Sequence, residues 1–236
     1  MSTMGNLHIL SRSGEPFRDR VEAGRLLGYS LKSLRLQKPV VLGIPRGGLV
    51  IAREVSRMLG GDLDIVLARK LRAPDNPELA IGSVSETGKV FLDRSLVELL
   101  NVPEQYIAQE KDFQMAEIGR RMAMVRSVLP KTPLSGRDTI VMDDGVATGS
   151  TLQAALWAVR NESPSSLVAA VPVGPEETVR HLSADCDDMY VSRVPNYFSA
   201  VGQFYIHFAQ VEDDEVVSML GDEARRKRLN ESSHGI

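Results

Sequence analysis

At 236 residues, with 43% hydrophobic and 25% charged side chains, the chain has an ordinary globular composition and enough length for one large domain. A net charge of −3 and a pI near 5.9 argue against a nucleic-acid partner, which would need a basic surface. One cysteine, Cys186, excludes an intrachain disulfide, and with no ~18-residue apolar run and no secretory pattern at the N-terminus the expected compartment is the cytoplasm, away from any membrane.

Residues 1–16 are polar and contain Gly5 and Gly14, so a loosely ordered arm is expected ahead of a domain spanning residues 17–220. Phe17, Val21, Leu27, Leu31 and Leu34 recur near a helical period and predict an entry helix that stops near Pro39, its arginines solvated. Residues 39–44, PVVLGI, suit a buried parallel strand. That strand breaks into Pro45-Arg46-Gly47-Gly48, followed by a helical stretch over residues 49–59. Glycines there let the backbone approach a ligand closely, and Arg46 supplies a cation for an anionic oxygen. Residues 64–70 read as the neighbouring strand, with Arg69 and Lys70 at its exit.

Residues 71–89 are punctuated by proline and glycine and predict a flexible β-hairpin or loop outside the core, a common form of lid. Glu78 and Glu86 are the acids in its later part that could assist a proton transfer, neither favoured over the other. A short strand over residues 91–94 comes next, and Pro103 then opens a long helix over residues 104–128. A Pro- and Ser-containing linker, residues 130–136, leads into the most informative stretch.

Residues 139–152 read TIVMDDGVATGSTL. An apolar β-branched run ends in Asp143 and Asp144, a small-residue turn follows, and residues 152–160 continue as a helix. At the carboxyl end of a strand, such a turn is where α/β proteins hold ligands. Backbone N–H groups of the turn and helix start can cradle a phosphate, with hydroxyls from Thr148, Ser150 and Thr151. The two carboxylates repel phosphate and suit sugar hydroxyls or a hydrated Mg²⁺. Phosphate, diol and divalent metal together describe a phosphorylated ribose. A P-loop fits poorly, because residues 145–151 lack its lysine.

Further on, residues 166–173 read as a buried strand, residues 176–182 as a short helix and residues 188–191 as an edge strand. Tyr197, Phe198, Phe204, Tyr205 and Phe208 then crowd one segment of a chain that is only 5% aromatic. His207 reads as a packing residue and Cys186 as inert. Acidic residues 213–215 start a last helix favourably for its dipole, and residues 221–236 are expected to be a mobile tail. The alternation of strands and helices predicts a doubly wound, mostly parallel α/β sheet.

The run VMDDGVATGST resembles the phosphoribosyl-pyrophosphate (PRPP) motif of type I phosphoribosyltransferases, and residues 17–220 are similar to a bacterial branch of that superfamily. The resemblance implies PRPP and a base-like acceptor as substrates and Mg²⁺ as cofactor. It implies binding by Arg46, Gly47, Gly48, Gly145, Val146, Ala147, Thr148, Gly149, Ser150 and Thr151, metal contacts from Asp143 and Asp144, and catalytic roles for Asp143, Asp144, Arg46 and Lys70. It also implies a lid at residues 71–89 and a small C-terminal hood near residues 188–210, with Tyr197 and Phe198 as candidates to face the base. The 6-oxopurine enzymes carry an acid where this chain has Ala147, so a hypoxanthine-type acceptor is disfavoured. A PRPP-sensing module without transfer activity, or a ribose-phosphate hydrolase or phosphorylase, would share the motif. Any self-association is expected to give a homodimer.

Overall fold

The computed structural model describes residues 5–233. Its centre is a parallel sheet of six strands ordered β1-β9-β8-β7-β2-β3, with β1 Asn6–Ser11, β2 Val40–Gly43, β3 Asp62–Ile65, β7 Asp138–Met142, β8 Ser166–Val173 and β9 Asp188–Arg193. The inner strands are apolar because helices cover both faces. Along β2 and β7, side chains alternate between two cores: Val41, Ile140 and Met142 join one, and Val40, Leu42 and Val141 the other. Helices α1 (Arg20–Leu31), α2 (Gly47–Leu59) and α7 (Asp213–Ser233) serve the first face, while α5 (Ser150–Arg160) and α6 (Glu176–Leu182) serve the second.

From β2 the chain steps to β3 on one side, whereas from β7 it steps to β8 and β9 on the other. The strand order therefore reverses between β2 and β7, and a crevice opens there at the strands' carboxyl ends. Gly43 pairs in register with Met142, and Ile44 N–H donates to the Met142 carbonyl at 2.8 Å. The loops that leave the two strands thus start side by side.

Several expectations change. Residues 6–11 of the supposed loose arm form β1, which pairs along β9, so β9 is an inner strand and not an edge; residues 1–4 lie outside the described residues. Arg69 and Lys70 do not end β3. They belong to β4 (Ala68–Ala73), which with β5 (Asn76–Ser85) and β6 (Val90–Leu92) makes a separate antiparallel sheet. The expected hairpin is thus present, but it is core and not excursion: Leu71, Ile81 and Val84 are fully buried. Frequent Pro and Gly masked its short apolar pattern.

Two helices lie between this sheet and the motif strand, α3 (Arg94–Leu99) and α4 (Glu104–Arg126). The expected mobile tail, residues 221–236, is helical through Ser233 as the continuation of α7, with Glu223 buried; residues 234–236 lie outside the described residues. No helix among the described residues is long and apolar enough to cross a membrane.

Candidate active site

Helix α5 begins at Ser150, immediately after Gly149, whose φ of 79° is a left-handed conformation suited to glycine. The turn before it is stapled down: Val146 N–H donates to the Val173 carbonyl at 2.9 Å, and Thr178 Oγ1 donates to the Ala147 carbonyl at 2.9 Å. Gly145 and Val146 are buried against Val173, Val201 and Gly174. Ala147, Thr148 and Thr151 are exposed, and the Thr148 and Ser150 hydroxyls lie 3.3 Å apart.

Helix α2 begins at Gly47, after a cis Pro45–Arg46 peptide bond. A Cβ on Gly47 would fall 1.9 Å from Asp144 Oδ2, and one on Gly48 would fall 2.6 Å from the Met142 carbonyl. Only glycine lets the two loops pass this closely. Arg46 Nη1 stands 3.6 Å from Glu212 and 3.7 Å from Asp213.

The helix starts differ electrically. Helices α1 and α3 are capped by Asp19 and Asp93, while α4, α6 and α7 carry acids in the first turn. Helices α2 and α5 have neither a side-chain cap nor a first-turn acid. Their first backbone N–H groups therefore have no capping side chain and no first-turn acid to offset the positive helix end.

Asp143 and Asp144 lie between these ends. Asp143 Oδ1 accepts from the Asp144 N–H at 2.9 Å, and its carboxyl is pushed well above the usual range by burial first and by the neighbouring Asp144 charge second. Asp144 Oδ2 accepts from Arg20 Nε at 2.7 Å, and its backbone carbonyl accepts from the Tyr205 hydroxyl at 2.6 Å. Burial, then the Asp144 charge, pushes the Tyr205 phenol up as well.

Arg46, Gly47, Asp143, Asp144 and Thr151 line one cleft of about 490 Å³, together with Arg20 and Phe208. Lys70 lines an adjoining cleft of about 510 Å³ with Arg69, Arg72, Thr148 and Ser150. Thr151 is common to both. Lys70 and Arg46 therefore reach the start of α5 from different clefts.

Glu86 is buried and held by Arg126 through two bonds, at 2.7 and 2.8 Å, so it is committed to the interior. The Glu78 side chain lies outside the described residues. Tyr197 is 76% exposed, and Phe198 packs on Phe204 with ring centroids 5.3 Å apart; neither lines the cleft. Its aromatic wall is Phe208, stacked on Tyr205 at 5.0 Å. His207 is exposed and is tied down through its backbone N–H, which donates to the Arg18 carbonyl. Cys186 is buried and burial pushes its thiol up to about 12, as befits an inert residue.

The sequence reading missed Arg20, Tyr205 and Phe208. One signal was available for Arg20: it follows the cap Asp19 directly, in the first turn of α1. A cation there opposes the helix dipole, so another partner must hold it.

A family profile described as phosphoribosyl transferase domain matches residues 21–206. The chain belongs to this family. Two Mycobacterium tuberculosis proteins provisionally named phosphoribosyl transferases, MT0597 (strain CDC 1551) and Rv0571c (strain H37Rv), are each 39% identical over 210 residues, which is 89% of this chain and 47% of theirs. The phosphoribosyl transferase domain described here thus spans about half the length of those relatives. The crystal structure of TT1426 from Thermus thermophilus superposes with a TM-score of 0.84 at 44% identity, covering 88% of this chain and 98% of that one.

The donor set can be tested against the Mg²⁺ that the family implies. No group of three or more His, Cys, Asp or Glu side chains among the described residues could hold a metal ion. The site offers the Asp143–Asp144 pair alone. This fits Mg²⁺, which keeps several waters and leans on one or two carboxylates plus substrate phosphates.

Proposed function

We propose that this phosphoribosyl transferase domain moves the 5-phosphoribosyl group of PRPP to a nitrogenous acceptor, a nucleobase or related ring, with release of pyrophosphate. The observation that carries this reading is the pair of uncompensated helix starts, α2 and α5, flanking two carboxylates at the reversal point of the sheet. Two anionic groups and a diol between them match a sugar phosphorylated at both ends.

The turn at residues 147–151 binds the 5-phosphate through backbone N–H groups and the hydroxyls of Thr148, Ser150 and Thr151. Arg46 and the Gly47–Gly48 backbone take the pyrophosphate, with Lys70 reaching in from the adjoining cleft. Asp143 and Asp144 hold the ribose hydroxyls and the Mg²⁺, which when bound offsets the negative charge of the departing pyrophosphate. Attack by the acceptor nitrogen at C1 forms the C–N bond as the C1–O bond breaks. The Asp144 charge stabilises the cationic character that develops on the sugar. Phe208, which lines the cleft with Asp144 and is packed by Tyr205 and Arg20, gives the acceptor ring an aromatic wall.

The test is pyrophosphate release from Mg²⁺–PRPP against a panel of nucleobases and related nitrogen heterocycles. Release that depends on one acceptor, and that falls about 100-fold or more in Asp144→Asn, is expected. Equal release without any acceptor would indicate a hydrolase instead, and binding with no release a sensing module.

A further inference from the structure

Three segments far apart in the chain converge on Asp144. The first is the start of α1, through Arg20 Nε on Asp144 Oδ2 at 2.7 Å. The second is the β2–α2 loop: a Cβ on Gly47 would lie 2.8 Å from that same Arg20 Nε, so this loop runs directly over the ion pair. The third is the stretch after Phe204, through the Tyr205 hydroxyl on the Asp144 carbonyl. Arg20 also ties to this third segment, donating from Nη1 to the Ala209 carbonyl at 2.7 Å. Its guanidinium lies 3.9 Å from the Phe208 ring centroid and 6.0 Å from that of Tyr205.

Residues 207–212 form neither helix nor strand. Backbone bonds anchor the near end of this stretch, at Ile206 and His207, to Phe17 and Arg18. Beyond His207, the Arg20 guanidinium reaches both the main chain at Ala209 and the ring of Phe208. The side chain is only 11% exposed although it sits where the dipole of α1 disfavours it. A planar fork that can hydrogen-bond two groups at once while stacking on a ring is a capability of arginine that lysine lacks.

We propose that Arg20 is a positioning residue: one guanidinium both orients Asp144 toward the ribose diol and fixes residues 205–211 as the acceptor wall. Donor and acceptor binding are thereby coupled. The inference rests on the reading of the site as a PRPP site and goes beyond it, because it links the carboxylate to the wall through a single side chain. Asp144 is then not placed by its own loop alone. Loosening the wall weakens donor binding, and loss of Arg20 loosens the wall.

The experiment compares wild type, Arg20→Ala, Arg20→Lys and Phe208→Leu, with Arg25→Ala as a control on the same helix; Arg25 pairs with Glu54 and its side chain is 57% exposed. Mg²⁺–PRPP affinity is measured by calorimetry. Chymotryptic cleavage after Phe208 is followed by mass spectrometry without ligand. Arg20→Ala is expected to weaken Mg²⁺–PRPP about 10- to 100-fold, as for loss of a hydrogen bond to a charged group, and to speed the cut after Phe208. Added methylguanidine should restore affinity in Arg20→Ala and leave Arg25→Ala unaffected, while Arg20→Lys should recover only part of it.

If Arg20→Ala does not fold, Phe208→Leu provides the test, with an expected loss of about 3- to 10-fold as the stacking partner is removed. Wild-type affinity in Arg20→Ala, or in Phe208→Leu where the former is insoluble, overturns the role of Arg20 and leaves the PRPP reading intact. Absence of Mg²⁺–PRPP binding by wild type overturns both.

Discussion

Two regions of this molecule concentrate charge and handle it in opposite ways. Behind the antiparallel sheet, Arg126 bonds Asp64 at 2.8 Å and Glu86 at 2.7 Å, and Asp64 also accepts the Thr132 N–H at 2.8 Å. Both acids are buried, and Lys131 closes the group against Glu162 at 2.6 Å. Every charge there has an internal partner. At the carboxyl end of the sheet, α2 and α5 present positive helix ends with no acid of their own, and two carboxylates share one small space. The first region holds elements together, and the second is the one proposed to receive a ligand that brings its own charge. Burial alone does not separate them. What separates them is that the starts of α2 and α5 carry no capping or first-turn acid, although Asp144 is paired with Arg20.

That contrast can be broken from either side. The largest effect is expected from Arg126→Met, which takes the cation from buried Asp64 and leaves Glu86 only Lys131 at 3.6 Å, and should cost about 3–5 kcal/mol of unfolding free energy. Urea unfolding measures it, and the folded fraction should still respond to Mg²⁺–PRPP.

A smaller effect, with two opposite signs, is expected from Ser150→Asp. An acid in the first turn of α5 supplies the missing counter-charge and should stabilise the unliganded chain by about 0.3–1 kcal/mol. The same charge should repel the 5-phosphate and weaken PRPP. Unfolding and calorimetry on one preparation would read both, and a gain in both would remove the distinction between the regions.

A third effect concerns burial of a neutral group. Burial raises the Cys186 thiol from about 9 to about 12. The unfolded chain therefore loses this proton first as pH rises, and the folded chain keeps it. The contribution is constant below pH 9, and stability declines between pH 9 and pH 12, by at most about 1.4 kcal/mol per pH unit. Cys186→Ala should flatten that decline, as seen by comparing unfolding free energies at about pH 8 and about pH 10.

The parallel sheet and the motif loops were legible because their signals are local. An apolar run that ends in Asp143-Asp144-Gly145, or in Pro45-Arg46-Gly47-Gly48, carries strand, turn and ligand chemistry in adjacent residues. Lys70 was placed on the wrong strand because residues 64–70 read as one strand, whereas a break at residues 66–67 divides β3 from β4 and sends Lys70 into another sheet.

The aromatic wall was expected one step too early, at Tyr197 and Phe198. Composition flagged the right segment, but which ring faces the cleft depends on the Phe17 and Tyr205 pairing that folds the segment back. Arg20 lies 124 residues from its partner, so only the orientation of α1 against the motif loop reveals their contact. Similarly, Glu86 looked available as an acid because nothing in its own neighbourhood names Arg126.

The most direct measurement is thermal unfolding with Mg²⁺ and PRPP, on wild type and on the Asp143→Asn/Asp144→Asn variant. With ligand at about 100 times its dissociation constant, a Mg²⁺-dependent stabilisation of about 2.7 kcal/mol is expected for wild type, and none for the variant. No shift of wild type at millimolar PRPP, or an equal shift in the variant, would contradict the assignment of the carboxylate pair and the two open helix ends to a phosphorylated ribose.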